Sequence, residues 1–250
     1  MTRDNPAPAS VAGRSWIDAL PRDRLVAEFS LWSAGLLRLA DELARIAPHA
    51  DILHVDVADG HFAPALLFFP DLVAAIRAAT PLPIHVHLMV ADEVLLSQAG
   101  QFADAGADLV SFHLENAAVA EAALDLLDRR GVAAGMVLRV ETPVAGAARF
   151  LPRLRFLTLL GTAIGVKGQG LDETAPARLA EARALIAAVG GRRILLAADG
   201  GIREATVPRL WAAGADTVVL GSLAFAAPDL AARMAWLAAL PGPAARASPQ

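Results

Sequence analysis

Two stretches of the chain read almost alike: FADAGADLVSFH at Phe102–His113 and LWAAGADTVVLG at Leu210–Gly221. In each, a helical run closes on Ala-Gly-Ala-Asp and an apolar run follows. Gly106 and Gly214 suit the left-handed residue that caps a helix, and the Asp begins the next strand. The same alternation continues outward in both directions. It predicts strands over Val26–Trp32, Ile52–Val57, Ile84–Met89, Leu109–His113, Ala134–Leu138, Phe156–Leu160, Ile194–Ala198 and Thr217–Leu220. Helices are predicted over Leu36–Ile46, Pro70–Ala79, Glu93–Ala105, Ala117–Arg130, Val144–Phe150, Glu173–Val189, Glu204–Ala213 and Pro228–Leu240. Strands and helices alternating through short loops imply a parallel sheet. Eight such units in 250 residues favour one closed (β/α)8 TIM barrel over an open doubly wound sheet. Residues 23–240 are assigned to the barrel, 1–22 to an N-terminal extension and 241–250 to a disordered tail. Trp16, within the extension, is placed either under the barrel or against a neighbouring molecule.

Composition narrows the function. Hydrophobic residues make up 56% of the chain, enough for a sizeable core. The net charge is −4 with no basic stripe, which argues against a nucleic-acid partner. No apolar stretch reaches the roughly 18 uninterrupted residues of a membrane span, and the first residues carry no signal-peptide pattern. Cysteine is absent, which excludes disulfides and thiolate metal sites and fits a cytoplasmic location.

In a barrel of this kind chemistry sits at the C-terminal ends of the strands, and the unusual polar residues lie there. His54 and Asp56 are two apart on strand 2 and share a face, with Leu53, Val55 and Val57 on the other. Strand 3 repeats the pattern, with His85, His87 and Met89 opposite Ile84, Val86 and Leu88. Strand 7 runs into Asp199 and strand 1 into Ser30. Buried carboxylates need compensation, and a divalent cation supplies it. Imidazoles and carboxylates together suit zinc, manganese, cobalt or iron(II). His113 is read as a rim residue, His49 and His61 as loop or surface positions, and Asp59 as a turn residue whose carboxylate accepts from backbone N–H groups.

A second cluster points to phosphate. GTAIGVKGQG (Gly161–Gly170) follows strand 6, Gly200 and Gly201 follow Asp199, and Gly221 and Ser222 end strand 8. Late barrel loops bind phosphate through backbone N–H groups that glycine lets approach closely. Lys167 either adds a charge there or projects into solvent.

SLWSA (30–34), HVDVADGHFAP (54–64), HVHLMV (85–90), AGADLVSFHLE (105–115), ADGGI (198–202) and the final Gly-Ser resemble, in order and spacing, the ribulose-phosphate 3-epimerase family. The resemblance runs from Glu28 to Phe225. It implies a ribulose-phosphate-binding barrel that self-associates, and a metal-dependent isomerase inverting C3 of a phosphorylated ketose. By it, His54, Asp56, His87 and Asp199 hold one divalent ion, and Asp56 and Asp199 are the acid/base pair. Ser30, His87 and Met89 contact substrate, and Gly165, Val166, Lys167, Gly168, Gly200, Gly201, Gly221 and Ser222 hold its phosphate.

The chain departs from the family pattern in places. Ala58 stands where the family usually has Met, as does Leu160. The phosphate loop reads AIGVKGQ where the family has NPGFGGQ. His85 replaces a common Asp, and Gly35 replaces the Asp of the family's Ser-Ala-Asp. These departures point to a related reaction on a different ketose phosphate, with Ala58 leaving room for a bulkier sugar. Two rival expectations stand beside this one: a metal-dependent hydrolase, since His-x-His on a barrel strand also binds zinc for water activation, and a non-catalytic phosphosugar-binding barrel.

Overall fold

Strands buried on both faces read as nearly continuous apolar runs, and here every residue of Ile52–Ala58, Ile84–Met89 and Leu109–His113 is buried. The computed structural model describes residues 16–242. It closes eight parallel strands into a barrel in chain order. They are β1 Val26–Ser30, β2 Ile52–Ala58, β3 Ile84–Met89, β4 Leu109–His113, β5 Ala133–Leu138, β6 Phe156–Leu160, β7 Leu195–Asp199 and β8 Thr217–Leu220. Around them run α1 Trp16–Ala19, α2 Leu39–Ile46, α3 Pro70–Ala79, α4 Asp92–Asp104, α5 Ala120–Arg129, α6 Ala175–Val189, α7 Val207–Ala212, α8 Ser222–Phe225 and α9 Leu230–Ala238. No described helix is long and apolar enough to cross a membrane.

The eight-stranded TIM barrel expected from the alternation is the one found, with corrections at element ends. The helix expected over Val144–Phe150 is replaced by 3-10 turns at Val144–Ala147 and Leu151–Arg153. Pro152 lacks the N–H that a continuing helix would use, and Gly146 weakens the segment. The helix expected from Leu36 opens with a 3-10 turn over Leu36–Arg38. The one expected from Glu204 starts at Val207, with Pro208 in its first turn, where the missing N–H costs nothing.

Alternation along the strands divides the interior. Outward residues such as Leu53, Val55, Val57, Val86 and Leu88 pack with Val73, Ile76, Leu95 and Phe102 of the helices. At the N-terminal end, Val26, Ile52, Leu109, Ala133, Phe156 and Leu195 point inward and form a separate cluster with Trp16 and Ile17. Helix α1 thus plugs the barrel floor. Arg193 ties it there, donating to the carbonyls of Ile17, Leu20 and Pro21 at 3.0, 2.7 and 2.7 Å. Residues 1–15 of the expected extension, and 243–250 of the expected tail, lie outside the described residues.

The Asp that precedes an even-numbered strand has a structural task. Asp51, Asp108 and Asp216 accept from the backbone N–H of Ala27, Ile84 and Leu196 at 2.8, 2.9 and 2.8 Å. Each therefore clasps the start of the neighbouring strand. Each also pairs with an arginine: Arg24, Arg77 and Arg183 respectively. Gly106, at φ +101°, does two things at once. It ends α4 in a conformation that L side chains avoid, and it leaves room for Arg77, whose Cγ would lie 2.8 Å from any Cβ there.

Removing the plug side chain should cost stability without touching the mouth. Trp16→Ala, at a site 7% exposed, is expected to lower unfolding free energy by about 3 kcal/mol. A urea denaturation midpoint checks this; an unchanged midpoint would show that α1 does not hold the floor.

Candidate active site

Four successive strands each send two polar side chains inward, two residues apart. They are Glu28 and Ser30 on β1, His54 and Asp56 on β2, His85 and His87 on β3, and Ser111 and His113 on β4. Parallel register sets Ser30 beside His54, His54 beside His85, and Asp56 beside His87. All eight are buried, none more than 7% exposed.

The deeper layer is a hydrogen-bonded unit. Glu28 Oε1 lies 2.7 Å from His54 Nδ1 and 2.5 Å from His85 Nδ1. His85 Nε2 is 2.7 Å from Ser111 Oγ. Burial works against the Glu28 anion, but the adjoining His85 and His54 outweigh it and hold the carboxyl down at about 2. Burial lowers His85, so its ring is neutral. It donates through Nδ1 and accepts the Ser111 hydroxyl at Nε2. Gly135 on β5 makes this possible, since a Cβ there would sit 2.0 Å from Ser111 Oγ.

The upper layer gathers His54, Asp56, His87 and Asp199, whose ligand atoms lie within 4.8 Å of one another. His54 Nε2 is 3.0 Å from Asp56 Oδ1, and His87 Nδ1 is 3.4 Å from Asp56 Oδ1 and 3.9 Å from Asp199 Oδ2. Donors around a tetrahedral zinc with ~2.0 Å bonds stand about 3.3 Å apart. The upper set, at 3.0, 3.4 and 3.9 Å, brackets that spacing; in the deeper trio of Glu28, His54 and His85 the contacts are 2.5 and 2.7 Å, closer than two donors on one ion stand. His87 Nδ1 is buried with no hydrogen-bond partner among the described residues. An orphaned imidazole nitrogen facing two carboxylates fits a divalent cation.

The other nitrogen of His87 is accounted for. His87 Nε2 lies 2.9 Å from Nε2 of His113, and the two rings stack. Burial lowers His113 to about 3, so it is neutral. Its Nδ1–H donates to Glu115 at 3.2 Å, which leaves its Nε2 to accept from His87. His113 was expected at the rim; it is wholly buried instead, because Phe62 from the loop after β2 packs against its ring.

The two carboxyls differ in acidity. Burial pushes Asp199 up to about 6, and the nearby Asp56 carboxylate adds to the rise. Asp56 goes the other way. Burial opposes its charge, but the adjoining His54, hydrogen-bonded to it, and the nearby His87 hold it well below the usual range; Ser30 Oγ also donates to it at 2.8 Å.

Above them opens a cavity of about 320 Å³. Ser30, Asp56, His87, Met89 and Asp199 line its floor, and the phosphate-loop candidates Gly165, Val166, Lys167, Gly168, Gly200, Gly201, Gly221 and Ser222 line its wall. His54 lies beneath, fully buried. Gly200 and Gly201 take φ +86° and +69°, and a Cβ at Gly201 would come within 2.6 Å of the Leu171 backbone. Lys167 reaches across the mouth. Its Nζ donates to Trp32 O at 2.6 Å and sits over the Trp32 ring.

Ala58 does not line this cavity. It is buried with Ala63 and Met89 under Phe62, Leu67 and Ile164, so its small size opens no space for a sugar. Asp59 holds a turn as expected, accepting from the N–H of His61, Phe62 and Ala91.

Comparison with known proteins agrees with the motifs. Residues 26–225 match the model of the "Ribulose-phosphate 3 epimerase family". The chain belongs to the ribulose-phosphate 3-epimerase family. It is 37% identical over 204 residues to ribulose-phosphate 3-epimerase 2 of Cupriavidus necator, covering 80% of this chain and 84% of that protein. It is 33% identical over 201 residues to the Bacillus subtilis enzyme, covering 80% and 92%. Among solved structures, 3-hexulose-6-phosphate synthase from Salmonella typhimurium aligns with a TM-score of 0.65 at 16% identity, over 86% of this chain and 98% of that one, a likeness of fold alone. The chain is thus an isomerase of the epimerase class.

Glu28, Ser111, Glu115 and Trp32 are the site residues to which the sequence reading gave no role, although Trp32, Ser111 and Glu115 lie inside the quoted motifs. Glu28-x-Ser30 carried the same two-residue signal as His54-x-Asp56.

Hydrogen bonds from His113 and Thr142 outweigh burial and lower the Glu115 carboxyl from 4.5 to about 2. A depressed carboxyl stabilises the fold above its unfolded pKa and loses that contribution as pH falls toward its folded one. Glu115→Gln is therefore expected to be about 1–2 kcal/mol less stable than the parent at pH 7, after allowance for solvent screening. The gap should narrow between pH 4.5 and 2, as read by urea denaturation across that range; a gap independent of pH would refute the assignment.

Proposed function

We propose that this protein is a divalent-metal-dependent epimerase that inverts C3 of a phosphorylated ketose, a pentulose 5-phosphate or a related sugar. One observation carries the reading: two carboxyls from separate strands, Asp56 on β2 and Asp199 on β7, face one cluster with His54 and His87. Inversion requires one group that takes a proton and another that gives one, on opposite faces of a flattened carbon. Carboxyls from strands separated by β1 and β8 can flank that carbon; carboxyls from one strand could not.

The ion would be held by His54, Asp56, His87 and Asp199. When bound, a divalent cation supplies Lewis-acid stabilisation of the negative charge that develops on the substrate's oxygen. The ionised Asp56 removes the C3 proton, breaking the C–H bond and leaving an enediolate. Asp199, in its protonated state, delivers a proton to the opposite face of C3. The pair then holds the reverse protonation pattern and is set for the opposite direction. Ser30 positions Asp56 through the bond between them. The cavity wall excludes water from the enediolate, where fixed charges act most strongly.

The substrate's phosphate is assigned to the N–H groups of the glycine loops, Gly165–Gly168, Gly200, Gly201, Gly221 and Ser222, which only side-chain-free backbone lets approach. Lys167, which lines this wall and is bridged to Trp32, adds a positive charge for the phosphate on this reading. Leu160 and Met89 give the sugar carbons an apolar surface.

Incubation in heavy water with a panel of ketose 5- and 6-phosphates, ribulose 5-phosphate among them, tests the reading. Deuterium at C3 and formation of the C3 epimer are expected with at least one sugar, with loss of both on chelation. Turnover of a phosphoester without carbon exchange would favour a hydrolase; binding without any exchange in ion-loaded protein would make the barrel a non-catalytic phosphosugar binder. Asp56→Asn and Asp199→Asn should each lower kcat by roughly 10²–10⁴-fold, measured in both reaction directions. Retention of normal turnover by either variant would remove that residue from proton transfer.

A further inference from the structure

We infer that Glu28 is a positioning residue that, with the ion bound, holds the one remaining His54 proton on Nδ1, so that Nε2, which donates to Asp56 while the ion is absent, is the atom turned to the ion beside Asp56, His87 and Asp199. The inference rests on the metal-dependent reading above and concerns a side chain that does not line the cavity.

Glu28 Oε1 stands 2.7 Å from His54 Nδ1, on the ring edge opposite the ligand cluster, and both side chains are wholly buried. A carboxylate accepts only, so the proton between them belongs to His54. The same oxygen takes a second proton from His85 Nδ1, which is itself held by Ser111. The brace therefore spans four adjacent strands and leaves the His54 ring with one orientation. Metal-bound imidazoles commonly give their outer N–H to such a carboxylate, and its removal costs about 10–100-fold in metal affinity. Glu28, His54 and His85 could be mistaken for a second metal site, since their donor atoms also cluster. Their separations of 2.5 and 2.7 Å are those of shared protons, shorter than the about 3.3 Å between donors on one ion.

Chelator-treated parent protein and Glu28→Gln are titrated with Co²⁺ and with Zn²⁺ against a competing chromophoric chelator. The variant is expected to bind one ion about 10–100-fold more weakly, with an altered Co²⁺ visible spectrum. At saturating ion its kcat should fall by less than its Kd rises. The double variant Glu28→Ala/His85→Asp returns a carboxylate to a position register-paired with His54 and should recover much of the affinity. In the Zn²⁺-loaded parent, ¹⁵N NMR of the imidazole rings should show His54 with a proton on Nδ1, a readout that needs no variant. Equal affinity in Glu28→Gln, or a deprotonated Nδ1, overturns the inference while leaving the metal reading intact. Two ions per parent chain falling to one in Glu28→Gln overturns it by making Glu28 a ligand. Failure of the parent to bind either ion overturns the metal reading and this inference together.

Discussion

A carboxylate buried in a closed barrel must be met by a donor, because an unpaired buried charge costs several kcal/mol. This constraint orders the interior. Glu28 is met by two imidazoles, Asp56 by Ser30 and His54, and the outer edge of His87 by His113 and, beyond it, Glu115. Each link determines which nitrogen of the next ring carries a proton. Carried to its end, the chain of donors leaves one buried imidazole nitrogen unsatisfied, and it is the one that faces both aspartates. The place that fits a cation is thus where the histidine chain leaves its last ring nitrogen without a hydrogen-bond partner among the described residues, facing both aspartates.

The barrel divides its labour along its axis. At the N-terminal end, three Asp–Arg pairs clasp the starts of β1, β3 and β7, and the apolar plug fills the floor. At the other end, loops after β6, β7 and β8 form the cavity wall. Stability is concentrated where no chemistry occurs. The loops at the mouth, where Lys167 meets Trp32, can therefore vary without loosening the strands that hold Asp56 and Asp199.

Much of this is legible in the amino-acid sequence. Ala-Gly-Ala-Asp located the helix ends and strand starts, and the two-residue spacing of His54 with Asp56 and of His85 with His87 placed them on one face. What could not be read was which side chain meets which. Periodicity within a strand gives a face; partners across strands follow from register, which one strand does not reveal. Glu28 stood in plain view two residues before Ser30, yet it draws its meaning from His54 and His85 on neighbouring strands. Ala58 misled for the same reason. Its small size suggested open space, and only the return of the following loop, with Phe62 and Leu67, fills it. The absent helix after β5 reflects a weak signal, a seven-residue stretch with Gly146 inside it and Pro152 just beyond.

Among the described residues, the floor plug leaves the interior open at one end only. Trp16 and Ile17 close the lower end, so whatever enters past Lys167 and Trp32 must leave by the same doorway, and the next molecule waits until it has gone. A reaction that only turns one carbon inside out suits this architecture. Reactant and product have the same size and the same charged handle, and a single port serves both directions of travel equally.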